Sequence, residues 1–285
     1  MRLKGYFFII GAATLWGLIG PVSRFALESG VGALEIGFFR AVIAWFFFAL
    51  HAVSLKKTKV KQKDLPLIVV FAFIGISIFY AANFIAVEKG GSAFAAVLLY
   101  TAPAWVACLS PIFFKEKITV KKLLAVILTI SGIGSICFFG NAASSDVIHF
   151  NITAIIAGGI SGLAYSMYYL FGKYFSERYD AYTLFFYILP IGALGLLPFI
   201  SFSQKTPSDW AVLIVLAFFC TYIANSLYYA GLNCLEPTKA ILTATIEPVI
   251  AAFFAWLIWN ELFTIAGFAG AGVILIGVLL TIYDG

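Results

Sequence analysis

The chain has 285 residues, of which 63% are hydrophobic and 11% charged, with a mean hydropathy of +1.04 and a net charge of +5. A protein of this size cannot hide so much apolar surface in a water-soluble core, so the composition excludes a soluble enzyme or binding domain and implies an integral membrane protein.

Ten apolar stretches follow one another, each near the roughly 20 residues that a spanning helix needs. They are expected at Leu3 to Leu27, Ala33 to Leu55, Leu65 to Val87, Ser92 to Phe114, Val120 to Phe139, Thr153 to Tyr174, Ala181 to Ser201, Asp209 to Leu232, Thr238 to Trp259 and Phe263 to Tyr283. The first is too long for a signal-peptide core and is read as a retained span. With the N-terminus in the cytoplasm, every lysine and arginine except Arg24, Arg40, Lys89 and Lys205 falls on an inside flank. The positive-inside rule therefore places both termini in the cytoplasm of a cell whose cytoplasmic membrane holds the protein. The polybasic loop Lys56 to Lys63 is explained by this bias, and nucleic acid is not expected as a partner.

The ten stretches are one unit written twice. A constant shift of 145 positions carries Ala102–Thr119 (APAWVACLSPIFFKEKIT) onto Glu247–Thr264 (EPVIAAFFAWLIWNELFT), and it superposes Pro103 on Pro248, Glu116 on Glu261, Gly17 on Gly162 and Gly132 on Gly277. Each copy holds five spans, 1–139 and 151–285, joined by an external connection at 140–150. An odd number of spans turns the second copy upside down, so the expected fold is all-α, two inverted five-helix repeats around a central cavity.

The doubled run from Pro103 to Gly134 and from Pro248 to Gly277, the start Leu15 to Gly17 (LWG) and Arg40 early in the second span resemble the EamA family of the drug/metabolite transporter superfamily. The resemblance covers nearly the whole chain. It implies a ten-helix carrier with a central cavity, for substrates that range over amino acids, other metabolites, quaternary amines and drugs.

The residues themselves suggest where a cavity lies. Pro103 and Pro248 each remove a backbone hydrogen bond and crowd the preceding turn, which should kink or loosen the fourth and ninth spans near the midplane. Loosened backbone in hydrocarbon needs partners or water, so these spans are candidate cavity walls; the alternative is a packed kink without substrate contact. In the third and eighth spans, Tyr80 and Asn83 fall on Asn225 and Tyr228 under the repeat shift, and these amides should point into the bundle, either as interhelical glue or as substrate-binding groups. Trp16, Tyr80, Tyr100, Trp105, Tyr165 and Tyr169 lie within spans expected to line the centre and suit stacking or a cation cage, although packing is the ordinary use of aromatic side chains.

Two charges lie within the membrane. Glu247 is roughly 15 Å along the ninth span and must be protonated, paired or exposed to cavity water, which leaves it open to substrate binding or proton coupling. Arg40 is deep enough to need a partner, as a gating, structural or substrate contact. The glycines of the fifth and tenth spans make small faces for close approach, either within one chain or at a dimer contact, so the protein is read as a monomer or homodimer.

Cys108, Cys137, Cys220 and Cys234 lack metal-ligand or redox spacing, and His51 and His149 stand far apart. No catalytic, metal or cofactor motif competes with a carrier, and no ATP-binding motif is present. The sequence reading is thus a secondary transporter working by alternating access on a small organic metabolite. Export of an amino acid or related compound comes first, import of a quaternary amine such as choline second, and a non-transporting receptor or assembly subunit is the reading from another class.

Overall fold

A computed structural model describes residues 2–139, 151–260 and 264–283. The expected external connection, with His149, and the repeat partner Glu261 lie outside the described residues.

The described chain is all-helical. Ten helical stretches are long and apolar enough to cross a membrane: Arg2–Glu28, Ala33–Ser54, Gln62–Gly90, Phe94–Phe114, Val120–Phe139, Ile152–Ser176, Ala181–Phe199, Pro207–Leu232, Pro237–Trp259 and Ile265–Ile282, named here the first to tenth spans. Their ends carry ordinary start and stop chemistry. Proline occupies the first turn of the third, eighth and ninth spans, where its missing N–H costs nothing. Thr206 and Asp209 form a reciprocal capping box at the start of the eighth span. Gly91, at φ 86° and ψ 159°, divides the third span from the fourth.

Local structure repeats with the sequence. The third span opens into a π-helical turn at Phe73–Ile78, and the eighth does so at Phe218–Ile223, 145 positions on. The fourth span breaks at Tyr100 and Thr101, and the ninth at Thr245 and Ile246. Lys115 (φ 54°) and Asn260 (φ 53°) are left-handed stops at equivalent positions. Pro103 and Pro248 do not kink a continuous helix, as a lone mid-helix proline would; each sits in the first turn of a new segment, Ala102–Phe114 or Glu247–Trp259. Threonine hydroxyls close the two gaps, Thr101 donating to the Leu98 carbonyl (2.7 Å) and Thr245 to that of Leu242 (2.5 Å).

The main packings join the two copies to each other. The first span packs on the eighth and ninth, the sixth on the third and fourth, the second on the seventh, and the fifth on the tenth. Glycine allows the tightest of these. A Cβ on Gly17 would lie 3.1 Å from the Glu247 carbonyl, and one on its equivalent, Gly162, 2.6 Å from that of Leu98. Gly132 and Gly270 oppose one another, each leaving 2.6 Å for a Cβ before the other's carbonyl. The small faces of the fifth and tenth spans are therefore used within one chain.

Candidate substrate site

Between the third and eighth spans, walled by the first, second, fourth, sixth, seventh and ninth, lies a cavity of about 300 Å³. Gly20, eight residues before the end of the first span, lines it and leaves it open on that side: this residue is exposed and nothing stands within 4 Å of where its Cβ would be. Toward the other end it is closed by a wholly buried aromatic layer. Phe48 stacks on Phe185 (4.8 Å), Phe185 meets Tyr229 edge-on (5.3 Å), and Phe71 lies parallel to Phe175 (6.2 Å).

Eight of the residues singled out from the sequence line this cavity: Trp16, Arg40, Tyr80, Asn83, Tyr100, Tyr165, Asn225 and Glu247. The break in the ninth span sets Glu247 at the head of its second segment, and the Tyr100 and Tyr165 hydroxyls stand beside its carboxylate. Arg40 is almost wholly buried and donates from Nε to Thr221 Oγ1 at 3.3 Å. Thr221 lies on the second π-helical turn and donates in its turn to the Leu216 carbonyl at 3.2 Å. Asn225 accepts a hydrogen bond on Oδ1 from Tyr168 (2.6 Å), so its amide N–H groups are left to point elsewhere.

The other candidates stand off the wall. Tyr169 and Tyr228 are fully buried behind it, Tyr228 stacked on Tyr168 at 5.4 Å and tilted against Trp16 at 5.4 Å, so they support the lining rather than form it. Pro103 is buried in the fourth span, and Pro248 next to Glu247 does not line the cavity. Trp105 is 42% exposed on the outer face of the bundle, because the segment restarting at Ala102 turns that side away from the centre. Thr221, Tyr168 and Phe79 reach the cavity without having been picked out from the sequence. Thr221 and Phe79 lie in or beside the π-helical turns, and the extra residue of such a turn rotates the rest of the helix by about 100° against an unbroken one. Tyr168 could have been found, since it follows Tyr165 at helical spacing.

The sequence model of the EamA-like transporter family matches residues 3–138 and 152–283. An uncharacterized transporter of Archaeoglobus fulgidus is 26% identical, over 98% of this chain and 99% of the relative. The uncharacterized inner membrane transporter YicL of Salmonella typhimurium is 23% identical, over 99% and 96%, and the uncharacterized transporter YetK of Bacillus subtilis 26% identical, over 78% and 69%. A crystal structure titled only as that of a protein superposes with a TM-score of 0.84 at 14% identity, covering 98% of this chain and 96% of the other, a likeness of fold.

Proposed function

The chain belongs to the EamA-like transporter family and is a multi-pass membrane transporter, not an enzyme; from that premise we propose that it is a secondary carrier exporting a small organic metabolite, an amino acid or a related compound, by alternating access. The observation that supports this reading is the cavity itself: polar and charged side chains gathered inside an apolar bundle, open at Gly20 and sealed by aromatic rings on the opposite side. Polar groups at membrane depth are costly and are kept where they face a path. In this reading 1–139 and 151–285 are inverted halves, both termini are cytoplasmic, the open end faces out, and transport rocks one set of spans against the other.

Import of a quaternary amine is the second reading, favoured by Trp16, Phe79, Tyr80, Tyr100 and Tyr165 around a cavity that also holds Glu247. Proton coupling would make Glu247 the titrating group; Glu247→Gln would then retain exchange and lose its response to a pH gradient. Counterflow in liposomes tests the carrier reading. Purified protein should exchange a labelled amino acid against unlabelled amino acid inside, and no exchange with any amino acid or quaternary amine would overturn the assignment of this cavity.

A further inference from the structure

A second hollow of about 300 Å³ opens between the second and eighth spans, one from each copy. Phe47, Leu50, His51 and Ser54 line it from the second span, Phe218 and Tyr222 from the eighth. Phe48 of the aromatic layer stands edge-on to Tyr222 at 4.8 Å, so the hollow lies beside that layer. Leu50 and Ser54 are exposed, as are Phe46, Val53 and Phe219 on the flanking faces, so the hollow opens toward the bilayer. Ser54 ends the second span, and Phe47 stands seven residues before it, which makes the hollow roughly 10 Å deep from the membrane surface. Its floor is apolar and its rim is basic. His51 Nδ1 lies 2.8 Å from the Tyr222 hydroxyl; with Tyr222 donating, Nε2 carries the hydrogen, and it has no partner among the described residues. Lys56 follows Ser54 by two residues, and the ammonium groups of Lys56, Lys59, Lys61 and Lys63 meet no carboxylate among the described residues. The acids beside the loop are already answered: Asp180 by Lys57 (2.8 Å) and Tyr182 (2.7 Å), Asp64 by Arg178 (3.5 Å) and Tyr179 (2.6 Å). The positive-inside bias accounts for lysines in the loop, but not for an apolar hollow with a donor at its rim.

We propose that this hollow is a binding site for one anionic glycerophospholipid, with an acyl chain against Phe47, Leu50 and Phe218 and the phosphate at His51 Nε2 and Lys56. A zwitterionic lipid would bring a second cation up to the lysines, and a soluble phosphate would leave the apolar floor wet, so charge and shape together select the anionic lipid. Bound there, the lipid joins one span of each copy at the closed end of the central cavity. Tyr222 also lies on the π-helical turn whose Thr221 holds Arg40.

The test is thermal unfolding of the delipidated full chain in dodecyl maltoside, with dioleoyl phosphatidylglycerol, dioleoyl phosphatidylcholine or glycerol 3-phosphate added. Phosphatidylglycerol should raise the midpoint by about 2–4 °C over phosphatidylcholine at the same mole fraction, and glycerol 3-phosphate should not move it. Ser54→Phe, which fills the hollow without removing a lysine, should lose most of that difference, and so should Lys56→Gln combined with Lys59→Gln. Taking the same charge from the other basic loop, by Lys115→Gln combined with Lys117→Gln, should leave it intact. Each variant is compared with itself across the lipids, so a lower starting midpoint does not disturb the result, and the wild-type comparison needs no variant to fold. Equal midpoints in the two lipids, or an undiminished difference in Ser54→Phe, overturns the proposal. So does equal loss from the two lysine pairs, which would mean that the lipid answers net charge alone, or a matching shift with glycerol 3-phosphate, which would make the ligand a soluble phosphate.

Discussion

Lys122 and Glu116, at the cytoplasmic end in the proposed orientation, carry almost no exposed side-chain surface. The Lys122 ammonium donates to Glu116 (2.8 Å), to Glu236 (2.7 Å) and to the Lys117 carbonyl (3.0 Å), and Ser110 donates to the other Glu116 oxygen. This network ties the loop after the fourth span to the start of the ninth. Removing one partner strands a desolvated charge, which costs about 3–5 kcal/mol, whereas removing both charges is far milder. Lys122→Met should therefore lower the unfolding midpoint in a denaturing detergent strongly, and Lys122→Met with Glu116→Gln should recover most of the loss. A double variant as weak as the single would show that the carboxylate is not what the lysine answers.

A second pair, at equivalent repeat positions, makes the contrast between buried and wet ion pairs. Glu35 and Asp180 begin the second and seventh spans of the two copies. Glu35 is buried against Lys205 and takes Ser203 hydrogen bonds at 3.0 Å and 2.9 Å, whereas Asp180 meets Lys57 at 2.8 Å with both side chains about half exposed. Partial burial pushes the Asp180 carboxyl up, but the hydrogen bonds from Lys57 and Tyr182 outweigh it and hold the group below the usual carboxylate range. The same contact raises the Lys57 ammonium. A depressed carboxyl stabilises the fold above its unfolded value and stops doing so as pH falls through its folded value; a raised ammonium stabilises below its unfolded value and stops as pH rises through its folded one. The small stability difference between wild type and Asp180→Asn should thus be level around neutrality, begin to shrink as pH falls below about 4, and vanish once pH passes below the lowered folded value, as protonation removes the charge. A difference that persists undiminished in acid would mean the pair contributes through shape alone.

At the scale of elements, the breaks matter more than the helices. Gly91 holds a φ and ψ that a side chain adopts only at about 1–3 kcal/mol, and it is what lets the third span end and the fourth begin without a loop. Gly91→Ala should lower the thermal midpoint while leaving ligand affinity in the surviving folded protein unchanged. Gly132→Ala, whose new methyl would meet the Gly270 carbonyl, should cost a similar amount by forcing the fifth and tenth spans apart. The spans themselves were legible because hydropathy and length report them directly, and the 145-residue shift exposed the equivalence of Pro103 with Pro248. The breaks at Tyr100 and Thr245 were legible only through those prolines. The π-helical turns left no sign, since Phe73–Ile78 and Phe218–Ile223 read as ordinary apolar helix. That explains the mixed outcome at the site. Asn225, paired with Tyr80 by the shift, lines the cavity; Trp105, in the right span, faces out, because span membership does not fix the face presented after a break.

At the scale of the whole molecule, every main packing joins one copy to the other, so neither half has a complete cavity wall of its own. In the proposed alternating access, closing one end would move the halves relative to each other, because the spans that form the aromatic layer also line the site above it. Labelling at four introduced cysteines checks the orientation and this motion in a background freed of the four native cysteines. In intact cells, Gln204→Cys, exposed between the seventh and eighth spans, should react with an impermeant thiol reagent added outside, and Lys59→Cys, exposed between the second and third, should not. Reversed labelling would invert the proposed orientation. Gly20→Cys then reports on access to the cavity, since a side chain there meets open space. It should react from outside, and a substrate that favours the closed or opposite-facing arrangement should slow the reaction by as much as it shifts that population. Phe48→Cys, within the aromatic layer, should stay unreactive from either side in the absence of substrate and become reactive only from the cytoplasmic side as the halves rock. If Phe48→Cys labels from outside at the rate of Gly20→Cys, the aromatic layer is not a seal and the bundle is a channel rather than a carrier.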